Sequence, residues 1–200
     1  MTIGIDKFQK DLKIKFKDKT LLVRALTHKS ADQKNNNEKL EFLGDRVIGL
    51  VLSKKLFDLY PMESEGVLDK RFASLVNRKI CCAIGWSIGI HNYILIGNKK
   101  NKINNKKDEK IISDCCEAVI GAIYIDQGFN YVKYFILKIW KKNIDKSFVT
   151  ILDSKTKLQE HSLKHYKKLP QYRLVSSEGP HHNPIYKIAV SIIGSKHFIG

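Results

Sequence analysis

The segment from Glu38 to Val51 constrains the fold of this chain more than any other part of its sequence. Glu38, Glu41 and Asp45 are spaced three and four residues apart, so on a helix that turns about 100° per residue they form one narrow stripe. Apolar side chains fall on the opposite side of the same helix: Leu40, Leu43, Val47, Leu50 and Val51. The segment therefore predicts a helix that packs through its apolar side and presents a row of carboxylates on the other.

A second acidic helix is predicted further along the chain. Asp114 and Glu117 are three residues apart, and the residues behind them are Cys116, Val119 and Ile123. Two such helices brought face to face would gather five carboxylates in one place. Because that cluster would repel itself, it favours a counter-cation, and oxygen ligands of this kind suit Mg²⁺ or Mn²⁺.

Acidic side chains on a helix are most often just its solvated face. Two features favour a site here instead. Gly44 costs a helix about 1 kcal/mol relative to alanine, and Gly121 would let a neighbouring backbone approach closely. The acids also lack basic partners four residues later, where Glu38, Asp45 and Glu117 are followed by Phe42, Gly49 and Gly121.

The overall charge indicates a polyanionic partner. The chain has 36 Lys and Arg against 20 Asp and Glu, a formal net charge of +16, and binding to phosphates releases counterions. Charge alone does not separate RNA from DNA, a membrane surface or the ribosome. An acidic, metal-binding pocket in so basic a protein suggests an enzyme that cuts nucleic acid.

The location predicted for the protein is the cytoplasm. No secretory signal is visible at the N-terminus, and no apolar run reaches the length of about 18 residues that a membrane-spanning helix needs. The cysteines form two adjacent pairs, Cys81-Cys82 and Cys115-Cys116, which lack zinc-site spacing and indicate reduced, semi-buried helix residues.

The pattern of the chain predicts an all-α domain over residues 1–148, a linker at 149–153 and a small α+β domain over 154–200. Predicted helices cover 5–17, 19–29, 38–60, 67–77, 78–89, 111–126 and 129–148, and a low-complexity loop covers 97–110. In the second domain a helix over 154–168 precedes strands at 172–175, 185–193 and 195–199, an α-β-β-β order.

The first acidic segment, Glu38-Lys39-Leu40-Glu41-Phe42-Leu43-Gly44-Asp45, resembles the signature of the ribonuclease III family. Residues 113–122 resemble that family's other acidic block, and 65–66 and 75–78 also match. The tail resembles a double-stranded-RNA-binding domain at 153–160, 170–172 and 179–184.

The resemblance implies a helical, homodimeric endonuclease that hydrolyses double-stranded RNA with Mg²⁺, or Mn²⁺ as a substitute, and leaves 5′-phosphate and 3′-hydroxyl ends. It implies that Glu41, Asp45, Asp114 and Glu117 are metal ligands, with Asp45 and Glu117 the critical catalytic pair. Two further acids are implied at the edge of the cleft and near the dimer interface: Glu38 and Glu65. Ribosomal RNA precursors, and some mRNA or small RNA, are the implied substrates.

The RNA-binding module reads A-form duplexes through 2′-hydroxyls and phosphates of the minor grooves. The resemblance implies that its contacts come from one helix face and one loop, through Lys155, Thr156, Gln159, Glu160, Lys164, Pro180 and His182. Thr156, Gln159 and Glu160 would reach one minor groove, and the loop from Pro180 to His182 would reach the next.

Two features depart from the family pattern. Arg46 stands where a small serine is usual, and the chain ends at Gly200, before the final helix of the RNA-binding module. An incomplete module would expose Ile188, Val190 and Ile192, so we expect it to be marginally stable or only partly functional. His28 has no identified partner and is interpreted as structural.

Three alternatives remain at this stage: a non-catalytic RNA-binding protein on the same scaffold, a DNA-directed nuclease, and a structural or membrane-surface protein. Retention of every metal carboxylate argues against the first, the RNA-reading tail against the second, and the two acidic clusters against the third.

Overall fold

The computed structural model describes residues 2–97, 108–147, 154–178, 185–194 and 198–199. The chain forms two compact units, Met1–Val149 and Thr150–Gly200. The helices of the first unit are α1 (Thr2–Leu12), α2 (Lys19–Ala25), α3 (Glu38–Leu59), α4 (Glu65–Val76), α5 (Arg78–Ser87), α6 (Glu109–Gln127), α7 (Phe129–Ile139) and α8 (Lys141–Ser147). A 3-10 turn, Ile90–Asn92, lies between α5 and α6.

Helix α6 is the centre of the first unit, packed against α2, α3, α5 and α7. The three residues predicted to lie behind its acids, Cys116, Val119 and Ile123, are fully buried. All four cysteines are free and buried, and burial raises the pKa of the Cys115 thiol to about 12. These thiols therefore act as small apolar side chains of the core.

Helices α3 and α6 cross at two glycines. A Cβ atom on Gly44 would lie 1.8 Å from the carbonyl oxygen of Glu117, and one on Gly121 would lie 2.2 Å from the carbonyl oxygen of Leu40. No side chain fits at either position, so the close backbone approach predicted for Gly121 is confirmed. The crossing brings the acidic turn of α3 against the acidic turn of α6.

Several element boundaries differ from those predicted. Helix α1 ends at Leu12 rather than residue 17, because Ile14 and Phe16 are buried in an alternating, non-helical segment. The single helix predicted over 129–148 is interrupted at Trp140, whose buried indole N–H donates to the Leu75 carbonyl oxygen at 3.0 Å. Leu50, predicted on the packed side of α3, is 59% exposed.

The second unit contains α9 (Ser154–Tyr166), β1 (Gln171–Glu178), β2 (Ile185–Ser191) and β3 (Phe198–Ile199). The strands form one antiparallel sheet in the order β1-β2-β3, with Leu174 opposite Ile188 and a register irregularity between Leu174 and Ser176. Ile188 is exposed as predicted, whereas Val190 and Ile192 are half-buried.

The architecture is the predicted one: a helical unit followed by a helix and three antiparallel strands. None of the helices in the described ranges is long and apolar enough to cross a membrane.

Candidate active site

A cleft of about 450 Å³ lies where the acidic turns of α3 and α6 meet. Five predicted site residues line it: Glu38, Glu41, Asp45, Asp114 and Glu117. The remaining lining residues are His28, Lys29, Asn37, Phe42, Lys110 and Ile111. The structure thus brings the carboxylates of both acidic segments into one cavity, although the two segments are about 70 residues apart in the chain.

Glu117 is the most perturbed acid of the cleft. Burial raises the pKa of its carboxyl to about 7, and the negative charges of Asp45, Glu41 and Asp114 add to the shift. The Ser113 hydroxyl lies 3.5 Å from its Oε1 atom, and a hydrogen bond with the Cys81 thiol opposes the rise in pKa. The pKa of Glu41 is also raised, first by burial and then by Asp114. A cation in the cleft would favour the ionised form of both carboxyls and so oppose the rise in their pKa.

Three of the acids have a basic partner, and for Glu38 and Asp45 this corrects the expectation that they lack one. Lys110 Nζ lies 2.6 Å from Asp114 Oδ2, and Lys29 Nζ lies 3.1 Å from Glu38 Oε1. The guanidinium of Arg46 contacts the Asp45 carboxylate. The expectation considered only the residue four positions after each acid, whereas Lys29 precedes Glu38 by nine positions and Arg46 follows Asp45 directly.

Glu41 differs from these three acids. Its carboxylate makes no hydrogen bond or ion pair with any residue in the described part of the chain. Its carboxylate faces the same cleft as Asp114, whose oxygen is already held by Lys110. Glu41 and Glu117 are therefore the two cleft carboxylates whose negative charge is not paired with a basic side chain in the described ranges.

The donor chemistry of the cleft fits Mg²⁺. Glu41, Asp45, Asp114 and Glu117 supply only oxygen ligands, which Mg²⁺ prefers. Across the described ranges, no three Asp, Glu, His or Cys side chains are already arranged around a cation position. The ion pairs explain this, since Arg46 and Lys110 occupy oxygens that a metal would use.

Other predicted site residues lie elsewhere or outside the described residues. Glu65 begins α4, is exposed and does not line the cleft. On α9, Glu160 and Lys164 are exposed and Gln159 is half-buried. Lys155 and Thr156 belong to α9, but their side chains lie outside what is described, as do Pro180 and His182 altogether.

Sequence reasoning missed four polar residues of the cleft: His28, Lys29, Asn37 and Lys110. The structure gives His28 a partner, with its Nδ1 atom 2.8 Å from the Ser30 hydroxyl. Asn37 is buried before α3 and donates to the Cys115 sulfur at 3.2 Å, which fixes the start of the acidic helix. Of these four residues, only Lys110 could have been found from local spacing, because it lies one helical turn before Asp114.

Comparison with known proteins agrees with this geometry. Residues 18–144 match the family described as Ribonuclease-III-like, and residues 154–200 match the double-stranded RNA binding motif. Ribonuclease 3 of Pelagibacter ubique is 54% identical, over 96% of this chain and 86% of that protein. Ribonuclease 3 of Campylobacter jejuni is 40% identical, over 96% of this chain and 87% of its own length.

Solved structures show the same relationship. The nuclease domain of Ribonuclease III from Campylobacter jejuni superposes with a TM-score of 0.64 at 40% identity, covering 70% of this chain and 99% of that domain. Dicer from Pichia stipitis, at 23% identity and a TM-score of 0.54, shares the fold. Matched over residues 18–144 and 154–200 and 54% identical to a Ribonuclease 3 along most of its length, the chain belongs to the ribonuclease III family.

Proposed function

We propose that this chain hydrolyses double-stranded RNA in a Mg²⁺-dependent reaction that leaves 5′-phosphate and 3′-hydroxyl ends. The observation that carries the proposal is the cleft, in which carboxylates of α3 and α6 converge and Glu117 has a pKa of about 7. The relatives named above, called Ribonuclease 3, support the same reaction class.

The proposed ligands are Glu41, Asp45, Asp114 and Glu117, and Mn²⁺ is the expected substitute. When bound, the metal lowers the pKa of a water molecule, polarises the phosphoryl group and stabilises the leaving oxygen. Asp45 and Glu117 are the proposed critical pair. Glu117 must lose the proton from its carboxyl group before it can act as a ligand, whereas Glu38 lies at the rim and is held by Lys29.

The second unit supports RNA as the substrate. A module of this family reads the 2′-hydroxyls of an A-form minor groove, a feature that DNA lacks. The proposed contacts lie along α9 and in the loop that follows β1. Along α9 they are Lys155, Thr156, Gln159, Glu160 and Lys164, and in the loop they are Pro180 and His182.

A homodimer is the proposed assembly. Large apolar side chains are exposed on or beside α3: Phe42 at 65%, Leu50 at 59%, Phe57 at 66% and Met62 at 95%. Exposed apolar surface of this kind marks protein–protein contacts. The solved nuclease domain from Campylobacter jejuni has a region involved in dimer formation, and Glu65 is proposed to lie near the equivalent interface.

The proposed setting is the cytoplasm, with ribosomal RNA precursors as main substrates and some mRNA or small RNA as further ones. Both are what the family resemblance implies, and the basic charge of the chain suits an RNA substrate.

A cleavage assay on a labelled, perfect RNA duplex tests the reaction. We expect cuts with Mg²⁺ that vanish with EDTA and in Asp45→Ala, and none in a matching DNA duplex. Products should accept a 3′-end ligation and lose a 5′-phosphate to phosphatase. Tight RNA binding without cleavage by the folded, Mg²⁺-loaded dimer would instead favour a non-catalytic RNA-binding protein on this scaffold.

A further inference from the structure

The segment that joins α1 to α2 displays lysines at alternate positions. Ile14 and Phe16 are buried, whereas Lys13, Lys15 and Lys17 between and beside them are exposed. Residues 14–16 are non-helical, Lys13 has a left-handed backbone with φ 57°, and Lys17 lies in a bend, so the three lysines follow one another along an irregular segment. We call Lys13, Lys15 and Lys17 the lysine row.

Helix α1 holds one end of this segment in place. The Ile14 N–H donates to the carbonyl oxygen of Gln9 at 3.0 Å, and the Phe16 N–H donates to the Gln9 side-chain oxygen at 2.9 Å. Gln9 is itself buried. Gln9 thus holds the backbone on both sides of Lys15, through its backbone carbonyl oxygen and its side-chain oxygen.

Helix α6 holds the other end. The buried carboxylate of Asp126 accepts the backbone N–H groups of Lys17 and Asp18, at 3.0 and 2.8 Å. The Gln127 amide donates to the Lys15 carbonyl oxygen at 3.0 Å. Because these bonds order the backbone before any partner arrives, binding through the lysine row needs little further ordering of the chain.

The charge of the row is not neutralised locally. Between Lys7 and Lys19 the sequence has six lysines and two aspartates. Those aspartates keep their negative charge, so the segment carries a net +4, and both bond groups outside the row: Asp11 accepts from the Tyr93 hydroxyl at 3.0 Å, and Asp18 caps α2 through Thr20 N–H at 2.8 Å. Among the described residues, no member of the lysine row has an ion pair.

The row borders a groove of about 500 Å³ on the same surface. Its walls include four lysines: Lys10, Lys13, Lys15 and Lys19. Asp6, which also lines the groove, is paired with Lys19 at 2.8 Å. A concentration of lysines beside a groove lined by further lysines suits a polyanion, and a nucleic-acid backbone has that form.

This surface is separate from the catalytic cleft. Asp126, which anchors the row, stands nine residues after Glu117, about 13 Å further along α6 and on its opposite side. No lysine of the row lines the cleft. A contact here would therefore add to substrate binding without entering the chemistry.

We propose that the lysine row is a phosphate-backbone binding surface of the catalytic unit, which contacts duplex RNA outside the cleft. The proposal rests on the proposed function, since the polyanion is taken to be the RNA substrate. The row supplies affinity without base recognition, so its contribution is the same for any duplex sequence.

The test compares two triple variants of the full chain that remove equal charge. Lys13→Gln/Lys15→Gln/Lys17→Gln removes the row, and Lys133→Gln/Lys138→Gln/Lys141→Gln removes three exposed lysines of α7 and α8. Binding of a 30-bp RNA duplex is measured in EDTA, so no cleavage interferes, over a series of salt concentrations.

We expect the row variant to bind roughly tenfold or more weakly at moderate salt, and the slope of log K against log salt to fall by about 2 to 3. The α7–α8 variant should keep the wild-type slope. Equal losses in both variants would overturn the proposal, because they would show that net charge alone matters, and wild-type binding by the row variant would overturn it as well.

The two hypotheses fail in different ways. If the wild-type chain does not bind duplex RNA, the proposed function fails and the inference fails with it. If wild type binds and the row variant binds equally well, only the inference fails. Tryptophan fluorescence confirms folding of each variant, since Trp86 and Trp140 both belong to the catalytic unit.

Discussion

Helix α6 carries a half-buried carboxylate, Glu117, near its middle and a buried one, Asp126, near its C-terminal end, and their surroundings differ in how they stabilise negative charge. Asp126 accepts two backbone N–H groups, so fixed dipoles satisfy it. Glu117 faces Asp45, Glu41 and Asp114, and its pKa rises to about 7 through burial and their charges. A buried carboxylate thus organises the chain where donors surround it, and favours a cation where other carboxylates surround it.

The largest expected difference between the two carboxylates is in the cleavage rate after substitution of Glu117. Glu117→Gln keeps the shape of the side chain but removes a proposed metal ligand, so we expect cleavage to fall by at least roughly 10³-fold. RNA binding should be nearly unchanged, because the affinity of a duplex comes mainly from phosphate contacts. Single-turnover cleavage and binding in EDTA measure both.

Glu109→Gln is the matched control, since Glu109 belongs to the same helix but does not line the cleft. It should cleave at close to the wild-type rate. Near-wild-type cleavage by Glu117→Gln would show that the metal site has been assigned wrongly.

The second test concerns the crossing of α3 and α6, which brings their carboxylates together. A Cβ at Gly121 would lie 2.2 Å from the Leu40 carbonyl oxygen, so Gly121→Ala must push the helices apart. We expect it to lower the free energy of unfolding by about 3 kcal/mol or more. Urea denaturation followed by tryptophan fluorescence reports on this unit alone.

Gly66→Ala provides the comparison for that result. Gly66 also lies in a helix, α4, but an added Cβ meets no atom within 4 Å. This variant should be neutral or slightly stabilising. If both variants unfold at the same urea concentration, the close approach of α3 and α6 does not require glycine.

Asp126→Ala removes the carboxylate that holds residues 17 and 18 at the C-terminal end of α6. It would leave the N–H groups of Lys17 and Asp18 without their acceptor, at a cost of about 2 kcal/mol in the free energy of unfolding. Asp145→Ala, at an exposed position on α8, should change it by less than about 0.5 kcal/mol. Equal stability of the two variants would contradict the structural role of Asp126, which urea denaturation decides.

The difference between Glu117 and Asp126 also shows how far the sequence alone can predict the structure. The acidic stripe on α3, the second acidic helix and the close approach at Gly121 follow from local spacing, because periodicity decides which residues share a helix face. The role of Asp126 could not be found in this way, since its partners lie 108 and 109 residues earlier in the chain. A tertiary contact over that distance leaves no local pattern.

Two further differences have the same origin. The helix predicted over residues 5–17 ends at Leu12, because burying Ile14 and Phe16 against the core outweighs helix propensity in a short segment. The ion pair of Lys29 with Glu38 joins residues nine positions apart that do not share a helix, so the spacing along α3 did not predict it.

The raised pKa of Glu117 predicts how stability changes with pH. The carboxyl of this residue ionises near its ordinary pKa of 4.5 when the chain is unfolded and only near 7 when it is folded. The folded state thus holds the proton more tightly, so metal-free stability should fall as pH rises from about 4.5 to 7, by an order of 1–2 kcal/mol.

Urea denaturation in EDTA at pH 4.5, 6 and 7.5 measures this loss, again by tryptophan fluorescence. Glu117→Gln removes the titrating group and should show a shallower decline over the same range. Saturating Mg²⁺ should restore stability at pH 7.5 in wild type only. Parallel curves for wild type and variant would mean that Glu117 ionises normally in the folded protein.

The smallest effect concerns the lysine inside the acidic cleft. Lys110 and a metal ion compete for the Asp114 carboxylate, so Lys110→Met should tighten Mn²⁺ binding. A pair with one exposed partner is worth about 0.2–1 kcal/mol, which corresponds to a factor of roughly 1.4 to 5 in affinity. Lys54 has the same spacing to Asp58, also at 2.6 Å, but lies outside the cleft. Lys54→Met should therefore leave Mn²⁺ affinity unchanged, and calorimetric titration of both variants would separate a local counter-cation effect from a change in net charge. Weaker Mn²⁺ binding by Lys110→Met would mean that the lysine positions Asp114 for the metal rather than competing with it.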